Sequence, residues 1–464
     1  MKVLKFGGPS IDTPERLEKV IGLLRDSIDG GENPVVVVSS FSDMTNCLIE
    51  LGELAADRNE EYLVKFELLK SRHYSYVKKV CSGDFLLKVE KFLDERFAEL
   101  ADLLHGVFLV REMSLKTQDL IMSFGEILMA FILTQVFCEN LISSFYADAR
   151  EFVRTNDEFG VAAIDFEKTR NQLIDFLAGK SGLPVITGFI GATEDGVTTT
   201  IGRNGSDYTA AIVGAVLEVD EIEIWGDVDG LMTADPRKVS NAFPIAQMTY
   251  EEALEMSHFG AAVLYPPSIK PAMKSGIPIR IRNSLNMNFP GTLIDNNFNQ
   301  ENLEIRGISS MSGISVLRLR SSALRENGIK FQERVFRALA KLRAKIIPLS
   351  QASAQGVLVL AVPTKLVKQI QKLLHEEFSM ESNLGILEEI SVESGFSMVA
   401  IVGTQVKEST DIALKLFGAL KKSNSNVVAL MHGPNDLNIS FLIDEKKELA
   451  VLSALHDVFF FANC

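Results

Sequence analysis

The sequence predicts an α/β protein: an open α/β/α sandwich built on a mainly parallel sheet, followed by two smaller α+β units. Three observations carry this: apolar β-branched runs separated by helical patterns, a change of composition near residue 283, and a strand–helix rhythm that repeats beyond it. The runs from Lys2 to Phe6, Pro34 to Ser39, Leu183 to Thr187, Glu221 to Trp225 and Ile277 to Ile281 are the short continuous kind expected of strands buried on both faces. Thr13-Pro14-Glu15 is a helix start, with a capping hydroxyl, proline at the first helical position and an acid in the first turn. Residues from about Glu60 to Leu104 read as purely helical, a subdomain laid over the sheet.

From 283 to 302 the chain turns rich in Asn, with Pro290-Gly291, and reads as a linker between an N-terminal domain (1–282, helical insertion 60–104) and a C-terminal region (303–464). In that region the order is strand Ile314 to Leu319, helix Phe331 to Leu342, strands Lys345 to Leu349 and Val357 to Val362, helix Lys365 to Glu377 and strand Gly385 to Ile390. A second unit repeats the order through Ser397 to Val402, Thr410 to Lys421, Val427 to Met431, Leu437 to Ile443 and Lys446 to Phe459, but lacks its last strand. The spare strand Leu303 to Ser309 is expected to complete it, which interleaves the two units: about 312–392, and 303–311 plus 393–464.

With 464 residues and 47% hydrophobic content the chain can bury a large core. The formal net charge of −14 gives no general attraction to a polyphosphate backbone, so nucleic acid is an unexpected partner and an anionic substrate needs a local cationic cluster. Cys47, Cys81, Cys138 and Cys464 form no C-x-x-C pair, which argues against a disulfide framework or a zinc site and fits a reducing cytosol. The chain runs from its N-terminus straight into a strand, so a cytoplasmic location is expected. The stretch Leu120 to Phe137 is apolar, but Glu126 within it favours a buried helix with a paired carboxylate over a membrane span.

In Lys5-Phe6-Gly7-Gly8-Pro9-Ser10, a lysine at the end of the first strand precedes two glycines that let backbone amides approach an anion. The Walker spacing is absent, and a Gly-Gly turn is also ordinary turn chemistry. Gly202-Arg203-Asn204-Gly205-Ser206-Asp207 opens a helix; Ser206 or Asp207 can cap it, whereas the planar fork of Arg203 suits a carboxylate and no cap requires it. The Thr198 to Thr200 run, after Glu194-Asp195-Gly196, reads as a hairpin that aims this loop. Gly226-Asp227-Val228-Asp229-Gly230 and Asp235-Pro236-Arg237 offer acids for ribose or Mg²⁺ and an arginine for phosphate, or are solvated turns. Glu126, buried in an apolar helix, requires a cation, from the protein or from a ligand ammonium group. Ser39 and Thr45 supply hydroxyls after the second strand, Thr45 with a cap of the next helix as its rival role. No H-E-x-x-H, G-x-S-x-G or dinucleotide G-x-G-x-x-G pattern follows, so hydrolase and dehydrogenase readings fall.

Taken in order, K-F-G-G at Lys5, T-N at Thr45, S-F-G-E at Ser123, G-F-I-G-A-T-E-D-G at Gly188, G-R-x-G-S-D-Y-T-A at Gly202, D-V-D-G at Asp227, D-P-R at Asp235 and F-G-A-x-V-L-x-P at Phe259 resemble the aspartokinases over essentially the whole chain. The resemblance implies an amino-acid-kinase fold with tandem ACT domains, and phosphorylation of the side-chain carboxylate of L-aspartate by ATP with Mg²⁺. It assigns Lys5, Gly7, Gly8 and Ser10 to the phosphates and Asp207 to orienting Lys5. It gives aspartate to Ser39, Thr45, Glu126, Arg203 and Ser206, and the nucleotide to Gly226, Asp227, Met232, Arg237 and Val263, with no protein metal ligand. It further implies a homodimer or larger assembly through the ACT domains and feedback by an amino acid, lysine ahead of threonine, with candidate contacts in the loop Arg325 to Lys330 and in Ser350 to Gln355.

This sequence departs from the family pattern at Pro9, where threonine is usual, at Ala262, where lysine is usual, at Gly226-Asp227 in place of T-D, and at Asp43-Met44 before Thr45-Asn46. Weakened ATP affinity is expected. Two alternatives remain open: a non-catalytic amino-acid sensor with a decayed kinase domain, and a kinase acting on glutamate or acetylglutamate, against which the helical insertion and tandem units argue.

Overall fold

The computed structural model describes every residue except 261–264, 298–304, 343, 353–354, 405, 407–409, 433–436 and 462–464. The first elements are β1 (Lys2–Phe6), α1 (Gly8–Ile11), α2 (Pro14–Asp29), β2 (Pro34–Val38), α3 (Met44–Ala56), α4 (Glu61–Val80), α5 (Gly83–Val110), α6 (Leu115–Glu139) and β3 (Ser144–Ala147). Then come α7 (Phe166–Leu177), β4 (Leu183–Thr187), β5 (Ile190–Ala192), β6 (Thr198–Thr200), α8 (Gly205–Leu217), β7 (Glu221–Gly226), β8 (Gln247–Met248), α9 (Tyr250–His258), α10 (Pro266–Ser275), β9 (Ile279–Asn283) and β10 (Thr292–Ile294). The C-terminal elements are β11 (Gly307–Ser321), α11 (Ala323–Ala340), β12 (Ile347–Ala352), β13 (Val357–Pro363), α12 (Val367–Glu377), α13 (Ser379–Asn383), β14 (Leu387–Val402), α14 (Thr410–Lys422), β15 (Ala429–His432), β16 (Asn438–Asp444) and α15 (Glu448–His456). By their contacts these fall into two compact units: Met1–Leu231, Pro244–Tyr250 and Val263–Phe298 in one, Met232–Phe243, Glu251–Ala262 and Asn299–Cys464 in the other.

The first unit is built on an eight-stranded sheet of order β3-β4-β2-β1-β7-β9-β10-β8, parallel except where β10 runs against β9. β2 and β4 are buried along their whole length, as their uninterrupted apolar runs require. The chain passes from β1 to β2 on one side and later to β7 on the other, so β1 lies at a topological switch point. Register aligns Phe6 with Val38 and Trp225, and Val38 with Thr187, which brings Gly7, Ser39, Gly188 and Gly226 to one edge of the sheet. The helix at Pro14 starts as expected, the Thr13 side chain accepting from the Arg16 amide.

The helical insertion runs past its expected end, α5 continuing to Val110. α6 is long and apolar enough to cross a membrane, but 83% of its most apolar window is buried within the protein. From Ile121 to Ala130 every residue is buried, as a core helix requires. The expected strand Ile277 to Ile281 is shifted to β9, and the expected linker from 283 to 302 contains β10, which pairs with both β9 and β8.

In the second unit four expected short strands are two long ones. β11 pairs through Gly307–Met311 with Met398–Val402 of β14, and through Ile314–Ser321 with the first part of β14 on one side and with β13 on the other. A bulge separates the halves at Met311/Ile314, where Gly313 takes φ +69°, a conformation that costs a glycine nothing. The six-stranded sheet has order β12-β13-β11-β14-β16-β15. α11 and α12 cover one half of it around Phe331, Leu339, Leu360 and Phe378; α14 and α15 cover the other half around Val399, Leu416, Phe441 and Leu452. Arg325 to Lys330, expected as a loop, lies inside α11, and Ser350 to Ala352 belong to β12. Residues 353 and 354 fall outside the described residues.

Candidate active site

The edge at β1 carries the charge the site needs. The Lys5 ammonium stands 2.6 Å from an Asp207 carboxylate oxygen, both side chains largely buried, and the contact is a charge pair rather than a well-directed hydrogen bond. Asp207 lies in the first turn of α8, where the helix dipole favours an acid. Neither it nor Ser206 caps that helix: the cap is Asn204 with φ 52°, and no side chain bonds the first amides. This left-handed residue, following Gly202 at φ +87°, swings the chain so that Arg203 is exposed. Among the described residues Arg203 makes no hydrogen bond or ion pair, so its fork is available to a ligand.

Two of the four residues expected to cradle phosphate are occupied. The Gly7 N–H donates to the Trp225 carbonyl at 3.2 Å, and the fully buried Ser10 hydroxyl donates to the same oxygen at 3.1 Å. These groups hold the turn against the end of β7 instead of facing an anion. Gly8 is needed for another reason: a Cβ there would lie 2.5 Å from the Ser42 nitrogen. Pro9 fits the first turn of α1, and its carbonyl accepts from Arg16 Nη1 at 2.9 Å. A Cβ on Gly7 would come within 3.4 Å of Lys5 Nζ, so glycine keeps the space beside the ammonium open.

Glu126 is 2% exposed in α6. Its Oε1 accepts the Ser40 amide at 3.2 Å, while Oε2 has no hydrogen-bond partner. Burial raises its pKa to about 7, against the pull of the Ser40 hydrogen bonds and the charge of Lys5. Ser39 is half-buried at the end of β2, its amide held by the Phe6 carbonyl at 3.1 Å. Thr45 is not the cap of α3; Asp43 holds that place at φ 63°, which leaves Thr45 half-buried in the first turn. Ser206 is buried against Gly188, where a Cβ would lie 2.7 Å from its Oγ.

The nucleotide residues are more dispersed. Gly226 ends β7 with open space beside it, and Asp227 is exposed. Asp229 accepts from Asn283 and Asn286, a structural role. Met232 and Arg237 belong to the second unit, and the exposed Arg237 guanidinium pairs with Asp235 of its own turn at 2.8 Å. Val263 and Ala262 lie outside the described residues.

Residues 1–283 match the Amino acid kinase family and residues 399–459 an ACT domain. The chain is 30% identical to the chloroplastic Aspartokinase 1 of Arabidopsis thaliana, over 99% of this chain and 80% of that relative. The chain belongs to the aspartokinases, within the amino acid kinase family. Its structure is similar to that of E. coli aspartokinase III in complex with aspartate and ADP, with a TM-score of 0.85 and 26% identity over 99% of this chain and 100% of that one. The same protein in complex with lysine and aspartate gives a TM-score of 0.79 at 27% identity over 99% of each chain. The chain spans about half (51%) of the length of the first curated relatives it matches, plant bifunctional aspartokinase/homoserine dehydrogenases.

Three further residues of this aspartokinase shape the site without having stood out in the sequence. Ser40, beside the expected Ser39, supplies the amide to Glu126. Trp225 offers the carbonyl that anchors Gly7 and Ser10, and its ring stacks with Phe6 and packs against the Arg282 guanidinium. Asp119 is fully buried one heptad before Glu126; that spacing of two acids in an apolar helix is a signal the sequence contained.

Proposed function

We propose that this chain transfers the γ-phosphoryl group of ATP to the side-chain carboxylate of L-aspartate, giving 4-phospho-L-aspartate, the first step of the aspartate pathway. The observation that carries this reading is the Lys5–Asp207 pair at the switch-point edge of an aspartokinase fold. The aspartate and ADP held by the E. coli relative support both substrates.

Aspartate is already ionised at neutral pH, so the reaction needs no general base. A carboxylate oxygen attacks the γ-phosphorus in line while the bond to the β,γ-bridging oxygen breaks, and the electron pair leaves on ADP. The obstacle is repulsion between anions, which Lys5 offsets once Asp207 has fixed its ammonium. Arg203 takes the α-carboxylate of aspartate, and Glu126 takes the α-ammonium group that its bare oxygen lacks. Ser39, Thr45 and Ser206 supply the remaining polar contacts to aspartate, and Gly226 and Asp227 contact the nucleotide. Mg²⁺ enters with ATP as part of the substrate, held by phosphate oxygens and water.

Regulation by lysine, bound by the ACT region, is part of this reading, supported by the lysine complex of the E. coli relative. A cytoplasmic homodimer completes it. The test is hydroxamate formation from ATP with aspartate or glutamate, with and without added lysine or threonine. Turnover of aspartate alone, lowered by lysine, is the expected result. Preference for glutamate or absence of turnover refutes the reading, and indifference to lysine refutes its regulatory part.

A further inference from the structure

Asp119 has no part in the reaction just described, yet it is 0% exposed and bonded through both oxygens. Oδ2 accepts the Gly160 and Thr200 amides, each at 2.9 Å, and Oδ1 accepts the Thr200 hydroxyl at 2.7 Å. Two features give this tie a direction. α6 carries Asp119 and Glu126 two turns apart on one face, so whatever Asp119 holds is measured from Glu126 along a rigid helix. Thr200 ends β6, only Ile201 and Gly202 separating it from Arg203.

The stem is fixed on every side. The Thr200 carbonyl accepts the Ala162 amide at 3.0 Å, and the Ile201 amide donates to Phe189 at 3.1 Å, whereas the arginine beyond is exposed and unpaired among the described residues. We propose that Asp119 is a positioning residue which, by clamping Thr200, sets the span between Glu126 and Arg203 to fit the α-ammonium and α-carboxylate shared by α-amino acids. This rests on the reading that Glu126 and Arg203 grip those two groups.

Asp119→Ala strips three buried donors of their acceptor and frees the stem, whereas Asp119→Asn keeps an oxygen for the two amides and turns an N–H toward the threonine hydroxyl. The experiment is steady-state kinetics on the full chain for wild type, both Asp119 variants, Arg203→Ala and the double variant Asp119→Ala/Arg203→Ala. Asp119→Ala is expected to raise the KM for aspartate about tenfold or more and that for ATP by less than about twofold, with Asp119→Asn recovering most of the loss. In the Arg203→Ala background the Asp119→Ala effect should fall below about twofold, because the group it positions is gone. Equal rises in both KM values, or a full Asp119 effect without the arginine, overturn the proposal. Arg203→Ala that leaves the KM for aspartate unchanged refutes the underlying reading and this inference together; an effect of Arg203→Ala without one of Asp119→Ala sinks the inference alone. Should Asp119→Ala not fold, Thr200→Val against Thr200→Ser isolates the hydroxyl bond: a higher aspartate KM in the valine variant supports the clamp, and equal values overturn it.

Discussion

The Lys5 ammonium is held 2.6 Å from the Asp207 carboxylate, across more than 200 residues of sequence, at the strand from which the chain passes to β2 on one side and later to β7 on the other. Asp207 offsets the cost of burying the ammonium, and on the proposed reading it also competes with phosphate for the same charge. Lys5→Met is therefore expected to lower kcat by about 10²-fold or more, the scale seen when a preorganised donor is removed. Asp207→Asn should lower kcat less, because the charge survives and only its placement relaxes. Single-turnover phosphoryl transfer at saturating ATP checks the order, and equal losses would show that the two act as an inseparable unit.

Glu126 makes the site pH-sensitive. Its folded pKa of about 7 stands above the model-peptide value of 4.5, so between those limits the folded protein holds a proton that the unfolded chain has released. Stability then falls as pH rises from about 4.5 to 7 and levels off above, a contribution on the order of 3 kcal/mol. Glu126→Gln removes that penalty, so its melting temperature relative to wild type should be higher at pH 8 than at pH 5. On the proposed reading binding has the opposite slope: the ammonium of aspartate pairs with the ionised carboxylate, so the KM for aspartate should rise as pH drops below about 7. A flat KM between pH 6 and 8 would remove Glu126 from the aspartate site.

What the sequence revealed and what it hid divide along physical lines. Pro34–Val38 was readable because burial on both faces demands an unbroken apolar run, and Lys5 and Arg203 because each is a cation beside glycines. The occupation of Gly7 and Ser10 was not readable, since it depends on the parallel register that sets Phe6 beside Trp225. Asp119 finds its partners 41 and 81 residues away, a pairing no local pattern encodes. The long strands β11 and β14 look like pieces in the sequence because the bulge near Gly313 and the exposed Glu393-Ser394-Gly395 stretch interrupt the alternation on which strand reading depends.

Arg203 allows a cleaner separation of binding from folding. It is exposed and unpaired among the described residues, so Arg203→Lys and Arg203→Ala should leave the melting temperature within about a degree of wild type. A lysine keeps the charge but not the fork, so the KM for aspartate should rise in the order Arg, Lys, Ala, the last by about 10- to 100-fold. Isothermal titration with aspartate would show the same order in Kd. A lysine variant equal to wild type would mean that the group acts as a point charge.

The second unit contains a buried ion pair whose removal should be felt only in stability. Lys238 Nζ lies 2.5 Å from Glu448 Oε1 and also meets Ser310 and Ser312, while Glu448 Oε2 accepts from Ser312 and Ser397 at 2.8 and 2.9 Å. Burial pushes the Glu448 pKa up, but Lys238 and the serines outweigh it and hold the carboxyl below its usual range. A depressed folded pKa stabilises above the unfolded value and is lost as pH falls through the folded one, so this pair weakens on acidification. Lys238→Met leaves a carboxylate in a poorly solvated place and should cost about 2 kcal/mol, with the Lys238→Met/Glu448→Gln double variant recovering part of it. Thermal melts at pH 7 decide the matter: a double variant less stable than Lys238→Met would mean that the three serines, and not the lysine, are what Glu448 serves.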